Sequence, residues 1–143
     1  QSTEPENVDT FLEHAQNELF EVKGVFPFSL IPAVIKIFEN RVEIGYRFLG
    51  SYRMVSSFFI KDIVQVEVTF HTKLLNVLGR LHFTLFGNMP DPNVVKLLPT
   101  RGAIHAKVLI NGLITAYKMN IDISNIPKPE LLEKLEELGG LKS

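Results

Sequence analysis

Residues 57–70 read SFFIKDIVQVEVTF, and the second half of this stretch alternates between apolar and polar side chains. One face of the predicted strand carries Val64, Val66, Val68 and Phe70, and the other carries Gln65, Glu67, Thr69 and His71. Such alternation predicts a half-buried strand of an antiparallel sheet. Because Asp is disfavoured in strands, Asp62-Ile63 predicts either a turn, with Ile63 pointing inward, or a bulge.

Other stretches show the same alternation. RVEIGYRF at 41–48 is the clearest, and weaker runs occur at 19–28, 33–38, 52–60, 81–86 and 94–98. Turn-forming residues separate most of them. About seven strands in close succession favour an antiparallel meander, because parallel pairing needs a crossover of about a dozen residues. The sequence therefore predicts antiparallel sheet structure over about 19–98.

Residues 100–121 fit two structures. The tetrapeptide Ile110-Asn111-Gly112-Leu113 is typical of a two-residue β-hairpin. Apolar residues at helical intervals favour a helix instead, namely Ala103, Ala106, Ile110, Leu113 and Tyr117. We favour one helix over about 100–119, in which Gly112 costs about 1 kcal/mol relative to Ala and would permit close approach to a sheet. A hairpin about Asn111-Gly112 stays as the alternative.

Shorter helices are predicted at both ends of the chain. Thr10 and Glu13 have capping-box spacing and predict a helix over 8–18, after a polar leader. Pro129, a row of leucines and Gly139-Gly140 predict an amphipathic helix near the C-terminus, too short to be stable without docking. The sequence thus divides into a leader with a short helix at 1–18, a single domain at 19–138 and a tail at 139–143.

The composition excludes several classes of function. The chain has 143 residues with 15 Lys and Arg against 16 Asp and Glu, and this balance is unlike that of a nucleic-acid-binding protein. The absence of cysteine excludes disulfides, thiol nucleophiles and Cys-ligated metals. His14, His71, His82 and His105 lack metal-binding spacing, and phosphate-binding glycine motifs are absent. We predict no catalytic residue, metal ligand or cofactor.

Two stretches carry a family resemblance. Residues 57–70 together with LLNVLGRLHFTLFG at 74–87 resemble bacterial pleckstrin-homology-like domains. The matching positions are Ile60, Asp62, Ile63, Val66, Val68, Leu78 and Gly79. The wider run 20–138 is similar to a set of uncharacterised prokaryotic proteins with an opening like Phe26-Pro27-Phe28. The resemblance implies an α+β fold: a seven-stranded antiparallel half-open barrel (about 19–98) capped by a C-terminal helix (about 100–119).

The candidate partner-binding residues are Tyr46, Arg47, Tyr52, Arg53 and Met89. A tight turn after residue 48 would bring the two Arg and the two Tyr together, and both residue types are favoured at protein interfaces. The alternative is that they are ordinary outward residues on adjacent strands. Met89 lies in the predicted loop 87–93, where it would contact a partner or belong to a solvated turn.

The leading functional prediction is a non-enzymatic scaffold that binds a protein partner or a second copy of itself, through a sheet edge or the surface beside its C-terminal helix. Phosphoinositide binding is not expected, because residues 25–39 carry only Lys36, with Lys23 on the flanking strand. The alternatives are a structural subunit of a large assembly and a small apolar-ligand or enzyme site lined by Phe. We favour an intracellular location, with membrane contact only through a tether outside this chain.

Overall fold

The computed structural model describes residues 18–24, 31–70, 78–85 and 93–140. These ranges contain seven strands, a short 3-10 turn and two helices. The strands are β1 (Glu18–Lys23), β2 (Ala33–Phe38), β3 (Arg41–Phe48), β4 (Ser51–Phe59), β5 (Ile63–Phe70), β6 (Leu78–Leu85) and β7 (Asn93–Pro99). The helices are α1 (Thr100–Lys118) and α2 (Lys128–Leu138), and the 3-10 turn spans Ile60–Asp62.

The strands form two antiparallel sheets and not one closed barrel. The first sheet has the order β1-β2-β3-β4, and the second has the order β5-β6-β7. Within each sheet, every strand pairs with its neighbour in the chain, as the short links predicted, whereas β4 and β5 do not pair. The α+β class, the antiparallel pairing of successive strands within each sheet and the helix that follows the last strand are confirmed, whereas the seven strands do not form one continuous meander.

The division between the sheets falls at Asp62-Ile63. The chain leaves β4 through the 3-10 turn Ile60–Asp62, and the pairing of β5 with β6 shifts register between Ile63 and Gln65. The segment around Asp62-Ile63 therefore contains both a turn and a bulge, which the sequence left as alternatives. Ile63 is buried, as predicted, and Ile60 is buried one turn earlier.

The core lies between the two sheets and α1. The sheets contribute Val22, Ile35, Ile37, Val42, Ile63, Val66, Leu81, Val95 and Leu98, and α1 contributes Ala103, Ala106, Leu109, Ile110 and Leu113. Removing each Val, Leu or Ile side chain from water stabilises the fold by about 1.5–3 kcal/mol. The alternation along the strands thus selects which face packs inward.

Residues 100–118 form one continuous helix, so the hairpin about Asn111-Gly112 is wrong. Eight of the 19 residues of α1 are buried, and they occupy more than one side of the helix. One side packs against both sheets, and another receives α2. A helix that is apolar on two sides is stable only where both are covered, and this is the environment of α1.

The close approach at Gly112 involves α2 and not a sheet. A Cβ atom on Gly112 would collide with the carbonyl oxygen of Leu135 and would lie 2.9 Å from its Cα. A Cβ atom on Gly139, which the sequence places in the tail, would likewise collide with the carbonyl oxygen of Val108. The expectation of a helix–sheet contact at Gly112 is therefore corrected: the missing side chain lets two helix backbones approach.

Helix α2 docks on the domain, as its short length predicted. Leu131 and Leu135 are buried against α1. Nε2 of His105 on α1 lies 2.9 Å from Oε1 of Glu136 on α2, and the His105 ring packs against Phe20 with centroids 4.5 Å apart. Neither described helix is long and apolar enough to cross a membrane.

Some sequence predictions fall outside the described residues. They include the leader, the helix predicted over 8–18 apart from Glu18, which begins β1, and the last residues of the predicted first strand. Met89 and residues 141–143 also lie outside the described ranges.

The packing at Gly112 gives a stability prediction. Gly112→Ala should lower the free energy of unfolding by about 1–3 kcal/mol, because the added methyl group forces α2 away from α1. Helix propensity alone predicts the opposite, a gain of about 1 kcal/mol. Urea unfolding followed by circular dichroism measures the difference. Asn111→Ala on the same turn is the control and should be neutral or slightly stabilising; a Gly112→Ala protein as stable as the parent would contradict the close helix packing.

Candidate functional site

A tight turn joins β3 to β4 at Leu49-Gly50. Both residues have positive φ, 51° and 80°. Two successive left-handed residues form the type of turn that suits the twist of a hairpin. The turn sets the register, so Tyr46 lies opposite Arg53 and Arg47 lies opposite Tyr52. The four candidate residues are therefore neighbours across two strands.

These four residues do not form one cluster, because they lie on two faces of the sheet. Tyr46 and Arg53 lie on the face that also carries Val42, whereas Arg47 and Tyr52 lie on the opposite, outer face. Tyr46 lines an open groove with Ile31 and Phe48. The register of the hairpin thus places each Arg opposite one Tyr. Because side chains alternate along a strand, the two pairs lie on opposite faces of the sheet.

The outer face carries a cluster of charged side chains around Tyr52. We call Glu21, Lys36, Glu43, Arg47 and Tyr52 the outer-face cluster. Glu21, Lys36 and Glu43 are register partners on three neighbouring strands. An Arg47 Nη2–H group donates to Oε1 of Glu21 over 3.1 Å, and Nζ of Lys36 lies 4.1 Å from the centroid of the Tyr52 ring.

Gly45 explains how the Tyr52 ring fits onto this face. A Cβ atom on Gly45 would lie 2.8 Å from Cε1 of Tyr52 and would collide with the carbonyl oxygen of Arg53. The pairing of β3 with β4 shifts register beside Gly45, so Val55 is an extra residue in β4. The bulge and the missing side chain together allow the ring to cover the strand at Gly45.

The environment of Tyr52 keeps its phenol neutral. Burial raises the pKa of Tyr52 to about 12, and the negative charge of Glu43 adds to this effect. Nε of Arg47 is buried and has no hydrogen-bond partner among the described residues. A phenol that stays protonated at physiological pH is unsuited to act as a general base, because that role needs a pKa near the working pH.

The charges of the outer-face cluster balance one another. Two carboxylates, Glu21 and Glu43, lie among two cations, Lys36 and Arg47. Nζ of Lys23 is also close to Glu21, at 4.0 Å from Oε1. Within the described ranges, groups of three or more His, Asp or Glu side chains placed to hold a metal ion are absent. The cluster therefore stabilises the outer face by local pairing.

The sequence did not show that β4 would be an exposed edge strand. This strand is hydrogen-bonded to β3 and lies at the end of the described four-stranded sheet. Three of its apolar side chains are more than half exposed: Met54 at 56%, Val55 at 67% and Phe59 at 53%. We call these three residues the β4 edge. Two successive apolar residues, Met54-Val55, interrupt the alternation and were the signal of the bulge that exposes both.

A pocket of about 330 Å³ lies beside the end of the β4 edge. Its described lining comes from the β2–β3 turn, the 3-10 turn, the last turns of α1 and the α1–α2 linker. The lining residues are Glu39, Asn40, Phe59, Ile60, Lys61, Leu113, Ala116, Tyr117, Ile121 and Ile123. We call this the α1-end pocket. Its walls are mainly aliphatic, unlike the Phe-lined cavity that the composition suggested.

Comparison with known proteins gives no assignment: no protein-family model matches the chain, and no curated protein matches it significantly. The β4 edge, the outer-face cluster and the α1-end pocket are the described features that bear on function.

The buried phenol gives a pH prediction. One of the three tyrosines should ionise near pH 12, and Tyr52→Phe should abolish that step in a tyrosinate absorbance titration. Because the folded pKa lies above the ordinary value of 10.0, the stabilising contribution of Tyr52 is present below about pH 10 and is lost as the pH rises through about 12.

Two further variants test the cause of this shift. Glu43→Gln should lower the pKa of Tyr52 but leave it above the ordinary value, because burial is the larger cause. Tyr117→Phe is the control and should leave the step near pH 12 in place. Near-ultraviolet circular dichroism at each pH shows whether the fold persists. A titration in which Tyr52→Phe removes no step at high pH would contradict the buried position of the ring.

Proposed function

We propose that this chain is a non-enzymatic protein-binding domain that acts through the β4 edge. The observation that carries the proposal is an edge strand of nine residues with three exposed apolar side chains. The outer side of an edge strand presents backbone N–H and C=O groups to which an extended segment can add as a further strand. We propose a second copy of the chain as the occupant, paired antiparallel through β4.

The sequence of the strand supports this proposal. Residues 54–60 read MVSSFFI, without a charged residue or a proline. Natural edge strands usually carry such residues, which prevent pairing with other chains. An uncharged seven-residue segment of this composition has a high tendency to pair with another strand. The β4 edge therefore lacks the protection of charged residues and proline just where its apolar side chains are exposed.

The other end of the same sheet is covered. Strand β1 contacts both β7 and α1. A Cβ atom on Gly102 of α1 would lie 2.8 Å from Cγ1 of Val22, which shows how closely the helix and strand approach. Within the described part of the first sheet, β4 is thus the edge that can receive a partner strand.

The finer fold assignment is also part of this proposal. Two features support a pleckstrin-homology-like arrangement: seven antiparallel strands precede a long helix, and that helix packs on both sheets. In such an arrangement α1 covers the core between two sheets that do not close. The balanced outer-face cluster and the pairing of Lys23 with Glu21 favour a protein partner over an anionic lipid.

Light scattering from micromolar to millimolar concentration tests the proposal. The parent chain should associate into dimers as its concentration rises, and Val55→Lys should lower the association constant at least about tenfold, because lysine at an edge opposes strand pairing. Val55→Thr keeps the strand propensity without adding a charge and is the matched control. Val55 is 67% exposed, so both variants should retain the fold. A parent chain that stays monomeric throughout, or a Val55→Lys variant that associates as well as the parent, would overturn the proposed pairing.

A further inference from the structure

The α1-end pocket has apolar walls and a few polar groups at its rim. Leu113 and Ala116 of α1 form one wall, and Ile121 and Ile123 of the linker form another. Ile60 closes the side towards the 3-10 turn. A pocket of about 330 Å³ is large enough for a small organic molecule.

The backbone around the pocket is held in place by hydrogen bonds. The N–H of Ile60 donates to the carbonyl of Asn40 over 2.9 Å, which fixes the 3-10 turn against the β2–β3 turn. The N–H of Ile121 donates to the carbonyl of Ala116 over 2.9 Å, so the linker turns back at the end of α1. Three of the lining segments are therefore positioned before any ligand arrives.

The acidic side of the rim is formed by Glu39, with Asp122 nearby. Glu39 is half-buried and has no salt-bridge partner among the described residues. Burial raises the pKa of Glu39, and the negative charge of Asp122 adds to this effect. The Asp122 carboxylate is held in the linker, because the Ser124 hydroxyl and N–H donate to its Oδ1 over 2.6 and 3.0 Å.

Lys61 is the one cation of the described lining, and it belongs to the 3-10 turn. Its Nζ is 5.6 Å from the centroid of the Phe59 ring, and the side chain is exposed. Glu39 and Lys61 do not form a salt bridge in the described part of the chain, and the charge that acts on Glu39 is that of Asp122. A cationic group of a ligand would therefore relieve the repulsion between two carboxylates, whereas an anionic group beside Glu39 would increase it.

We propose that the α1-end pocket binds a small organic amine, whose hydrocarbon part packs between α1 and the linker while its ammonium group pairs with the Glu39 carboxylate. A charge-assisted hydrogen bond of this kind is about twice as strong as a neutral one. The apolar walls supply the larger contact area, and Glu39 selects the charge of the ligand. This inference goes beyond the proposed strand pairing and does not depend on it.

Three probes of the same shape test the charge preference: phenylpropylamine, phenylpropanol and phenylpropanoate. Each is titrated into the full chain and followed by nuclear magnetic resonance at the backbone amides of Leu113, Ala116, Tyr117 and Ile121. The amine should bind about tenfold more tightly than the alcohol, and the carboxylate should bind most weakly. Equal affinities for the three probes, or shifts elsewhere in the chain, would overturn the proposal.

Two lining variants separate the charge from the apolar contact. Glu39→Gln should weaken amine binding about tenfold and leave alcohol binding unchanged, whereas Tyr117→Ala should weaken both probes to a similar extent. Glu130→Gln, on the exposed start of α2, is the matched control and should change neither. Val55→Lys should also leave amine binding unchanged, which distinguishes failure of this proposal from failure of strand pairing. Amine affinity that is unaffected by Glu39→Gln would exclude Glu39 as the partner of the ammonium group.

Discussion

The burial of α1 on two sides is the constraint on which the rest of the structure depends. One side of this helix packs against strands of both sheets, and another packs against α2 at Gly112. Strands β4 and β5 belong to different sheets, so ladder hydrogen bonds do not join the sheets at that corner. Apolar packing in which α1 takes part therefore holds the two sheets together. Because such packing depends on shape, small residues such as Ala103, Ala106 and Gly112 set the distances at which the layers meet.

The position of α1 also determines where apolar surface stays exposed. The helix packs against β1, β5, β6 and β7 and against the 3-10 turn. Ile60 in that turn is buried, whereas Phe59, the last residue of β4, is more than half exposed. The chain thus turns inward one residue after the edge strand ends. The α1-end pocket forms at this place because α1 ends at Lys118, while the linker returns past the 3-10 turn.

Much of the fold was predictable from the sequence because burial on one face imposes a period on the residues. The alternation at 42–46 and the helical spacing from Ala103 to Leu113 record which side chains point inward, whereas Phe48, Val64 and Tyr117, at the ends of the predicted runs, are exposed. The same patterns do not show which other helix or strand each surface packs against. The residues alone therefore could not show that Gly112 faces Leu135, or that alternation separates Arg47 and Tyr52 from Tyr46 and Arg53. The β4 edge was partly visible, since Met54-Val55 breaks the period, but the α1-end pocket joins segments far apart in the chain.

The near-zero net charge of the chain does not reflect an even balance of charge over its surface. On the outer face, Glu21 and Glu43 lie beside Arg47 and Lys36, so the balance is achieved by neighbours and leaves little net field there. The β4 edge departs from this pattern because residues 54–60 carry no charge at all. The α1-end pocket departs from it in the opposite way, since Glu39 sits among apolar walls without a salt bridge in the described part of the chain. Ion pairs between neighbouring side chains stabilise a surface, but they do not leave an unpaired charge that could attract a ligand. The two surfaces that lack this pairing are accordingly the ones for which we propose partners: an extended strand for the first, and a cation with an apolar body for the second.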